Sequence, residues 1–173
     1  MSIPASLLKK LIQIPIFQGL TVPEAAEFFE VALEQAVEKG RTVFREGDEG
    51  DALYVLLSGE ASVTKKNVEL AVLSTHAVLG EMCLVSPGDT RSATAVAKTD
   101  LTMLKIPSKR VQKLLKANNL ATLKVVANLA QVMGQRLAAI NDRLVSGGDS
   151  KKKPEARKEE LADFAGILNR WSF

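Results

Sequence analysis

The middle third of the sequence, residues 41–107, consists of short apolar runs separated by glycine-rich turns. The run at 53–57 is typical of a buried strand, and turn-forming residues bound it at 46–51 and 58–59. Helical spacing of apolar residues is absent from this part of the chain. Many short strands with such turns predict a jelly-roll β-barrel, an α+β fold that is mainly β. The other strand candidates are 42–45, 61–64, 70–73, 93–97 and 101–106.

The first forty residues predict helices that flank this barrel. Thr21 and Glu24 have the spacing of a capping box, in which a hydroxyl precedes a carboxylate by three residues. We expect this box to open a helix that ends at Gly40, because glycine favours a helix C-terminus. The apolar face of that helix would consist of Ala25, Phe28, Phe29, Ala32 and Ala36.

A long helix is predicted after the barrel, over about 120–144, with Ser108 capping a shorter helix before it. Val125, Leu129 and Val132 form one apolar face on its first half, which we expect to pack on the barrel. A second set of apolar residues follows the 3,4 spacing of a heptad seam and predicts a homodimer. The alternative is a single wide core stripe on a monomer. The seam residues are Leu123, Val126, Ala130, Met133, Leu137, Ile140 and Leu144.

The remainder of the chain is expected to be a linker and a tail. We divide the sequence into a domain at 1–145 and a segment at 146–173, in which a Gly/Ser/Lys-rich linker precedes a short amphipathic helix. About thirty residues after Leu144 leave no space for a helix-turn-helix module, so DNA binding is not expected. One face of the tail helix would carry Leu161, Phe164, Ala165, Leu168 and Trp171.

Composition excludes several classes of function. The chain has one cysteine and one histidine, which excludes a disulfide framework and any multi-Cys or multi-His metal site. Lys and Arg exceed Asp and Glu only by 23 to 20, which is too small an excess to indicate nucleic-acid binding. No membrane span or signal peptide is visible, so a cytoplasmic protein is expected. We find no nucleophile–base pair, metal constellation or triphosphate loop, and therefore predict no enzymatic activity and no cofactor.

The segment 79–95 carries the most specific chemistry. Gly80 allows close approach of a ligand to the backbone, and residues 81–84 can form one helical turn with outward N–H groups. Arg91 can bind a phosphate bidentately, Ser92 adds a hydroxyl donor, and Glu81 can accept from a sugar hydroxyl. This combination fits a ribose phosphate. A structural ion pair between Glu81 and Arg91 is the alternative.

Here the sequence resembles the cyclic nucleotide-binding domain family, which includes catabolite-activator regulators and the regulatory domains of cyclic-nucleotide-dependent kinases. The similarity covers roughly residues 10–145. Its main motif is Gly80-Glu81 followed about ten residues later by Arg91-Ser92-Ala93. The segments 47–54 and 14–20 resemble the early strands and the N-terminal helical part of the family.

The resemblance implies specific ligand contacts. Glu81 would hold the ribose 2′-hydroxyl, and Arg91 and Ser92 would hold the cyclic phosphate with help from backbone N–H groups near Met82, Cys83 and Ser92. Gly80 would allow the turn.

The long helix would be both a lid and a dimer seam, with Ile140 and Asn141 near the adenine. The sequence departs from the family at Thr90, where many relatives have proline, and at Cys83, where alanine or glycine is usual. Neither change removes a binding group.

We therefore expect a cyclic-nucleotide sensor, with cAMP as the ligand, that signals to an unidentified protein effector through a conformational change. cGMP and a cyclic dinucleotide are alternative ligands. A scaffold or adaptor that has the same fold and needs no nucleotide is an alternative of a different class.

Overall fold

The computed structural model describes residues 3–86 and 88–146, a β-barrel flanked by helices. The helices are α1 (Ala5–Leu11), α2 (Val22–Phe29), α3 (Ser108–Lys116) and α4 (Leu120–Ser146), with short 3-10 turns at Pro15–Phe17 and Glu81–Leu84. The strands are β1 (Leu33–Val37), β2 (Thr42–Phe44), β3 (Ala52–Ser58), β4 (Ala61–Lys65), β5 (Val68–Leu73), β6 (Val78–Leu79), β7 (Thr94–Ala97) and β8 (Leu101–Pro107).

The strands form two four-stranded antiparallel sheets, in the orders β1-β8-β3-β6 and β2-β7-β4-β5. Both sheets contribute side chains to one buried cluster, which includes Tyr54, Leu56, Leu73 and Met103. This arrangement confirms the predicted fold class, a mainly β jelly-roll with helices at both ends.

The central strand β3 is buried on both faces from Ala52 to Leu56, which explains its continuous run of apolar and aromatic residues. Successive side chains of a strand point to opposite faces. Tyr54 and Leu56 therefore lie in the barrel cluster, whereas Leu53 and Val55 lie in the cluster that the helices cover. The β3 strand joins the two cores.

Three phenylalanines organise the helical core. Phe17, Phe28 and Phe29 have ring centroids 4.9 to 5.7 Å apart, in tilted and edge-to-face arrangements that aromatic pairs prefer. Val125 and Leu129 of α4 belong to the same buried cluster. This packing holds the start of the long helix against the N-terminal helices.

The prediction that the helix opened by Thr21 continues to Gly40 is wrong for the residues after Phe29. The capping box of Thr21 and Glu24 is present, but α2 ends at Phe29 and the next residues form β1. Pairing of β1 with β8 along its whole length satisfies the backbone there, and this tertiary contact overrides the helical spacing of the alanines. Gly40, at φ +81°, lies in the turn that leads to β2.

The predicted cap at Ser108 is also wrong. Ser108 is the first residue of α3, and Pro107 occupies the cap position without a side-chain hydrogen bond. The Ser108 hydroxyl and amide both donate to the carbonyl of Asp51, at 2.9 and 2.8 Å. Ser108 therefore anchors α3 to the start of β3.

The two predicted faces of α4 differ in exposure. Val125, Leu129 and Val132 are buried, as predicted, but they pack mainly against the N-terminal helices and not against the barrel. Leu123 is 44% exposed and Ala130 is exposed. Val126 and Met133 are half-buried, and the later seam residues Leu137, Ile140 and Leu144 lie in the helix.

The linker and tail helix predicted at 146–173 lie outside the described residues beyond Ser146. Within the part that is described, no helix has the length and apolarity needed to cross a membrane.

The ion pair between Glu24 of α2 and Lys124 of α4 is expected to make the stability of the fold depend on pH. Glu24 accepts hydrogen bonds from Lys124 Nζ at 2.7 and 2.9 Å and from the Thr21 amide at 2.8 Å. These bonds, that of Lys124 above all, lower the Glu24 pKa from 4.5 to about 2. A lowered folded-state pKa stabilises the fold above the unfolded value, and this stabilisation is lost as pH falls from about 4.5 to about 2. We expect wild type to unfold at a higher temperature than Glu24→Gln at pH 6, with a smaller difference at pH 3.

The measurement is thermal unfolding followed by circular dichroism. Glu34→Gln, at an exposed glutamate of β1, is the control and should follow wild type at both pH values. A Glu24→Gln difference that does not change with pH would contradict the assignment.

Candidate functional site

A cavity of about 270 Å³ lies between the 79–93 segment and the β4–β5 hairpin. Its walls are Gly50, Val63, Leu70, Ala71, Leu73, Val78, Leu79, Gly80, Glu81, Met82, Cys83, Asp89, Thr90, Arg91, Ser92 and Ala93. Six of the eight residues proposed from the sequence are thus brought together. The other two, Ile140 and Asn141, lie in α4, and their side chains are outside the described part of the structure.

The turn that forms one wall begins at Gly80. This residue has φ +71°, a left-handed conformation that glycine adopts without steric penalty. The 3-10 turn Glu81–Leu84 follows it, which confirms the single helical turn expected at 81–84. A Cβ at position 80 would collide with the Arg91 guanidinium, so the site requires glycine for two independent reasons.

Arg91 is buried, with 5% of its surface exposed. Its Nη1 donates to the carbonyl of Gly80 at 3.2 Å, and Nη2 donates to the carbonyl of Ala52 at 2.7 Å. Nη2 also pairs with Asp51 Oδ1 at 3.1 Å. These contacts tie the cavity wall to the start of β3.

The third nitrogen of the Arg91 guanidinium, Nε, differs from the other two in its hydrogen bonding. Arg91 Nε is buried and has no hydrogen-bond partner among the described residues. Leaving a buried charged donor unsatisfied costs about 1–3 kcal/mol or more. An anion that binds beside Arg91 and accepts a hydrogen bond from Nε would remove this cost, which favours a phosphate as the ligand.

Asp51 is the functional residue that the sequence reasoning missed. It accepts from Lys105 Nζ at 2.8 Å as well as from Arg91. Burial raises the Asp51 pKa, but the Lys105 hydrogen bond and the charges of Lys105 and Arg91 outweigh this, so the pKa is lowered overall. The same hydrogen bond raises the pKa of Lys105. Asp51 therefore stays ionised. It lies within the 47–54 motif, which was the only sequence signal that could have drawn attention to it.

The 47–51 loop holds the Arg91 backbone in place. The Gly47 amide donates to the Arg91 carbonyl at 2.9 Å, and the Arg91 amide donates to the Asp48 carbonyl at 2.7 Å. Gly50 donates to the Asp89 carbonyl at 3.0 Å and lies so close that a Cβ would be 2.9 Å from that oxygen. The second sequence motif thus supports the first.

Cys83 lies in the same wall and is buried. Burial raises the pKa of its thiol to about 11, against the opposing effect of the Arg91 charge. A thiol in this state is a poor nucleophile near neutral pH. Cys83 therefore has the properties of an inert buried thiol and not those of a redox sensor.

Comparison with known proteins agrees with this geometry. Residues 34–118, which run from β1 to the end of α3, match the family model of the cyclic nucleotide-binding domain. The chain belongs to this family. The matched range contains the whole cavity and the Asp51–Arg91 pair.

Several relatives share the domain. The chain is 31% identical over 136 residues to Glutaminase 1 of Bradyrhizobium diazoefficiens, covering 78% of this chain and 22% of the relative. It is 36% identical over 107 residues to the cAMP-dependent protein kinase regulatory subunit of Yarrowia lipolytica, covering 61% and 28%. The crystal structure of the Thermus thermophilus catabolite activator protein has a TM-score of 0.64 at 25% identity and covers 91% of this chain and 82% of that one.

The chain therefore spans less than a third of the length of these two curated relatives. What is shared is the ligand-binding domain, which belongs to a family of regulators. In the part of the chain that is described, no group of His, Cys, Asp and Glu residues could hold a metal ion.

The left-handed backbone of Gly80 and its closeness to the Arg91 guanidinium predict that a substitution there destabilises the fold. Gly80→Ala should lower the free energy of unfolding by about 1–2 kcal/mol for the left-handed backbone, and by about 1–3 kcal/mol more because Arg91 must move. Gly19→Ala is a matched control, since Gly19 has φ +75° and nothing within 4 Å of its would-be Cβ. Urea unfolding of both variants measures the difference. Equal losses would show that Arg91 does not restrict position 80.

Proposed function

We propose that this chain is a cyclic-nucleotide sensor whose ligand is cAMP and whose output is a ligand-dependent change of conformation. The observation that carries the proposal is the buried Arg91, whose Nε–H has no partner in the part of the chain that is described and which lines a cavity with Glu81 and Ser92. One cation suits one phosphate, and the neighbouring carboxylate and hydroxyl suit a sugar.

The size of the cavity supports a mononucleotide. Its volume of about 270 Å³ is slightly below the range typical of small-molecule sites, ~300–1,000 Å³. A cyclic dinucleotide has about twice the bulk of a cyclic mononucleotide. The relative from Yarrowia lipolytica is named for cAMP, which favours cAMP over cGMP for this chain.

Each residue then has a role in binding. Arg91 and Ser92 contact the cyclic phosphate together with the amides of Met82 and Cys83. Glu81 accepts from the ribose 2′-hydroxyl, and Gly80 leaves room for Arg91. Ile140 and Asn141 of α4 approach the base.

Binding is transmitted through the anchor of α3. Asp51 pairs with Arg91 and also accepts both hydrogen bonds from Ser108 at the start of α3. The α3 helix packs against both the Glu81–Leu84 turn and α4. A ligand that competes with Asp51 for the Arg91 charge therefore changes the support of α4, to the extent that it binds the two states with different affinity.

The output passes to a protein partner. The candidate contact is the predicted tail helix with Phe164, Leu168 and Trp171, which lies outside the described residues. We also propose that the chain works as a homodimer through the α4 seam, because the domain leaves Leu123 and Ala130 exposed on that face.

Ligand binding is the third prediction. At a hundred times Kd, cAMP should stabilise the folded state by about 2.7 kcal/mol, which is roughly 5–11 °C in Tm for a chain of this size. Arg91→Lys should lower the affinity for cAMP by about 10- to 100-fold, because lysine cannot reproduce the guanidinium hydrogen bonds. Arg45→Lys, at an exposed arginine outside the cavity, is the matched control and should bind as wild type does. Thermal shift and calorimetry measure both effects.

cGMP, a cyclic dinucleotide and 5′-AMP complete the series. A shift with cGMP alone would keep the mechanism and change the ligand. If protein shown to be free of copurified nucleotide responds to none of them, the sensor proposal is wrong and the scaffold interpretation is favoured.

Dimerisation is the fourth prediction. Ala130→Glu places a charge in the seam and should reduce the particle mass from twice the chain mass to 18.7 kDa. Gln131→Glu places the same charge on an exposed neighbour outside the seam and should remain dimeric. Light scattering after size exclusion measures the mass. A monomeric wild type, or a dimer that Ala130→Glu does not disturb, would contradict the seam.

A further inference from the structure

The Arg91 guanidinium lies over an aromatic ring. Its Cζ is 4.4 Å from the centroid of Phe44 and 5.6 Å from that of Tyr54. The two rings stack with centroids 5.9 Å apart and planes inclined by 29°. The arginine is therefore held by cation–π contacts as well as by hydrogen bonds.

Each sheet supplies one of these rings. Tyr54 belongs to β3 in one sheet, and Phe44 ends β2 in the other. The pairing of β2 with β7 is irregular between Thr42 and Phe44. Such an irregularity changes the direction of the side chains beside it. Phe44 pairs with Ala95 of β7, the strand that follows Arg91 in the sequence.

Rings and hydrogen bonds restrict different motions of the guanidinium. The carbonyls of Gly80 and Ala52 and the carboxylate of Asp51 hold its terminal nitrogens. The Phe44 ring, whose centroid lies 4.4 Å from Cζ, opposes movement of the guanidinium toward the ring, which these hydrogen bonds do not prevent. It also excludes water from that side, and a lower local dielectric strengthens the attraction of the cation for an anion.

We propose that Phe44 is a positioning residue of the ligand site, which, backed by Tyr54, holds the Arg91 plane so that the unpartnered Nε–H stays available to the phosphate. This rests on the proposed function, since the affinity that Phe44 supports is that for a cyclic nucleotide. Phe44 itself is not among the cavity-lining residues.

The test compares three substitutions by calorimetry with cAMP. Phe44→Leu keeps an apolar side chain but removes the ring, and should weaken binding about 3- to 30-fold. Phe44→Tyr keeps the ring and should restore affinity to within about twofold of wild type. Phe29→Leu removes a ring from the helical core, away from Arg91, and should lower Tm without changing affinity.

A spectroscopic signature separates positioning from general stability. The measurement is the proton NMR spectrum of the ligand-free protein, in which protons above an aromatic ring resonate upfield. The Arg91 Nε–H signal should therefore move downfield in Phe44→Leu. It should stay near its wild-type position in Phe44→Tyr and Phe29→Leu. Its loss in Arg91→Lys assigns the signal.

Wild-type affinity in Phe44→Leu, or an equal loss in Phe29→Leu, would overturn the proposal. An unmoved Nε–H signal would overturn it as well. If wild type binds no cyclic nucleotide, the proposed function fails, and the role of Phe44 in ligand affinity fails with it. The Nε–H signal then decides only whether the ring orients Arg91.

Discussion

The burial of one arginine is the constraint around which the site is arranged. Removing a guanidinium from water costs several kcal/mol unless hydrogen bonds and charges replace the solvent. Arg91 receives that replacement from two carbonyls, a carboxylate and an aromatic face. These partners come from three separate parts of the chain: Phe44 ends β2, Asp51 and Ala52 lie at the start of β3, and Gly80 directly precedes the 3-10 turn. The charge therefore fixes the relative positions of the Gly80 turn, β2 and β3.

Much of this architecture follows from local sequence. Residues of a single short segment predict most of the strands, the capping box at Thr21 and the long helix. The Gly80–Arg91 motif also lies within one segment of the sequence. The roles of Asp51, Lys105 and Phe44 have no such local signal, although Asp51 lies within the 47–54 motif, because these roles depend on pairing with residues far away in the sequence. The contact between Arg91 and Asp51 spans 40 residues. Sequence spacing identifies residues that are close along the chain, but it does not identify residues that are brought together across the barrel.

Two of the errors in the fold have related causes. The alanines before Gly40 have helical spacing, yet the backbone there is needed to complete a sheet beside β8. Ser108 has the side chain of a cap, yet its hydroxyl bonds to Asp51. In both cases a partner outside the segment determined the conformation. Both errors also lie at junctions between helix and barrel, where local and tertiary preferences compete.

The distances along the chain between the partners of Arg91 have a kinetic consequence. Its side-chain hydrogen bonds join residues 11, 39 and 40 positions apart. Contacts of such separation form only after the intervening loops have closed, and they are among the slower events of folding. The helices and hairpins can form earlier, but the cavity acquires its cation only when both sheets are in place. If the chain has the proposed function, a nascent or partly unfolded chain does not bind the nucleotide, and binding reports that folding is complete.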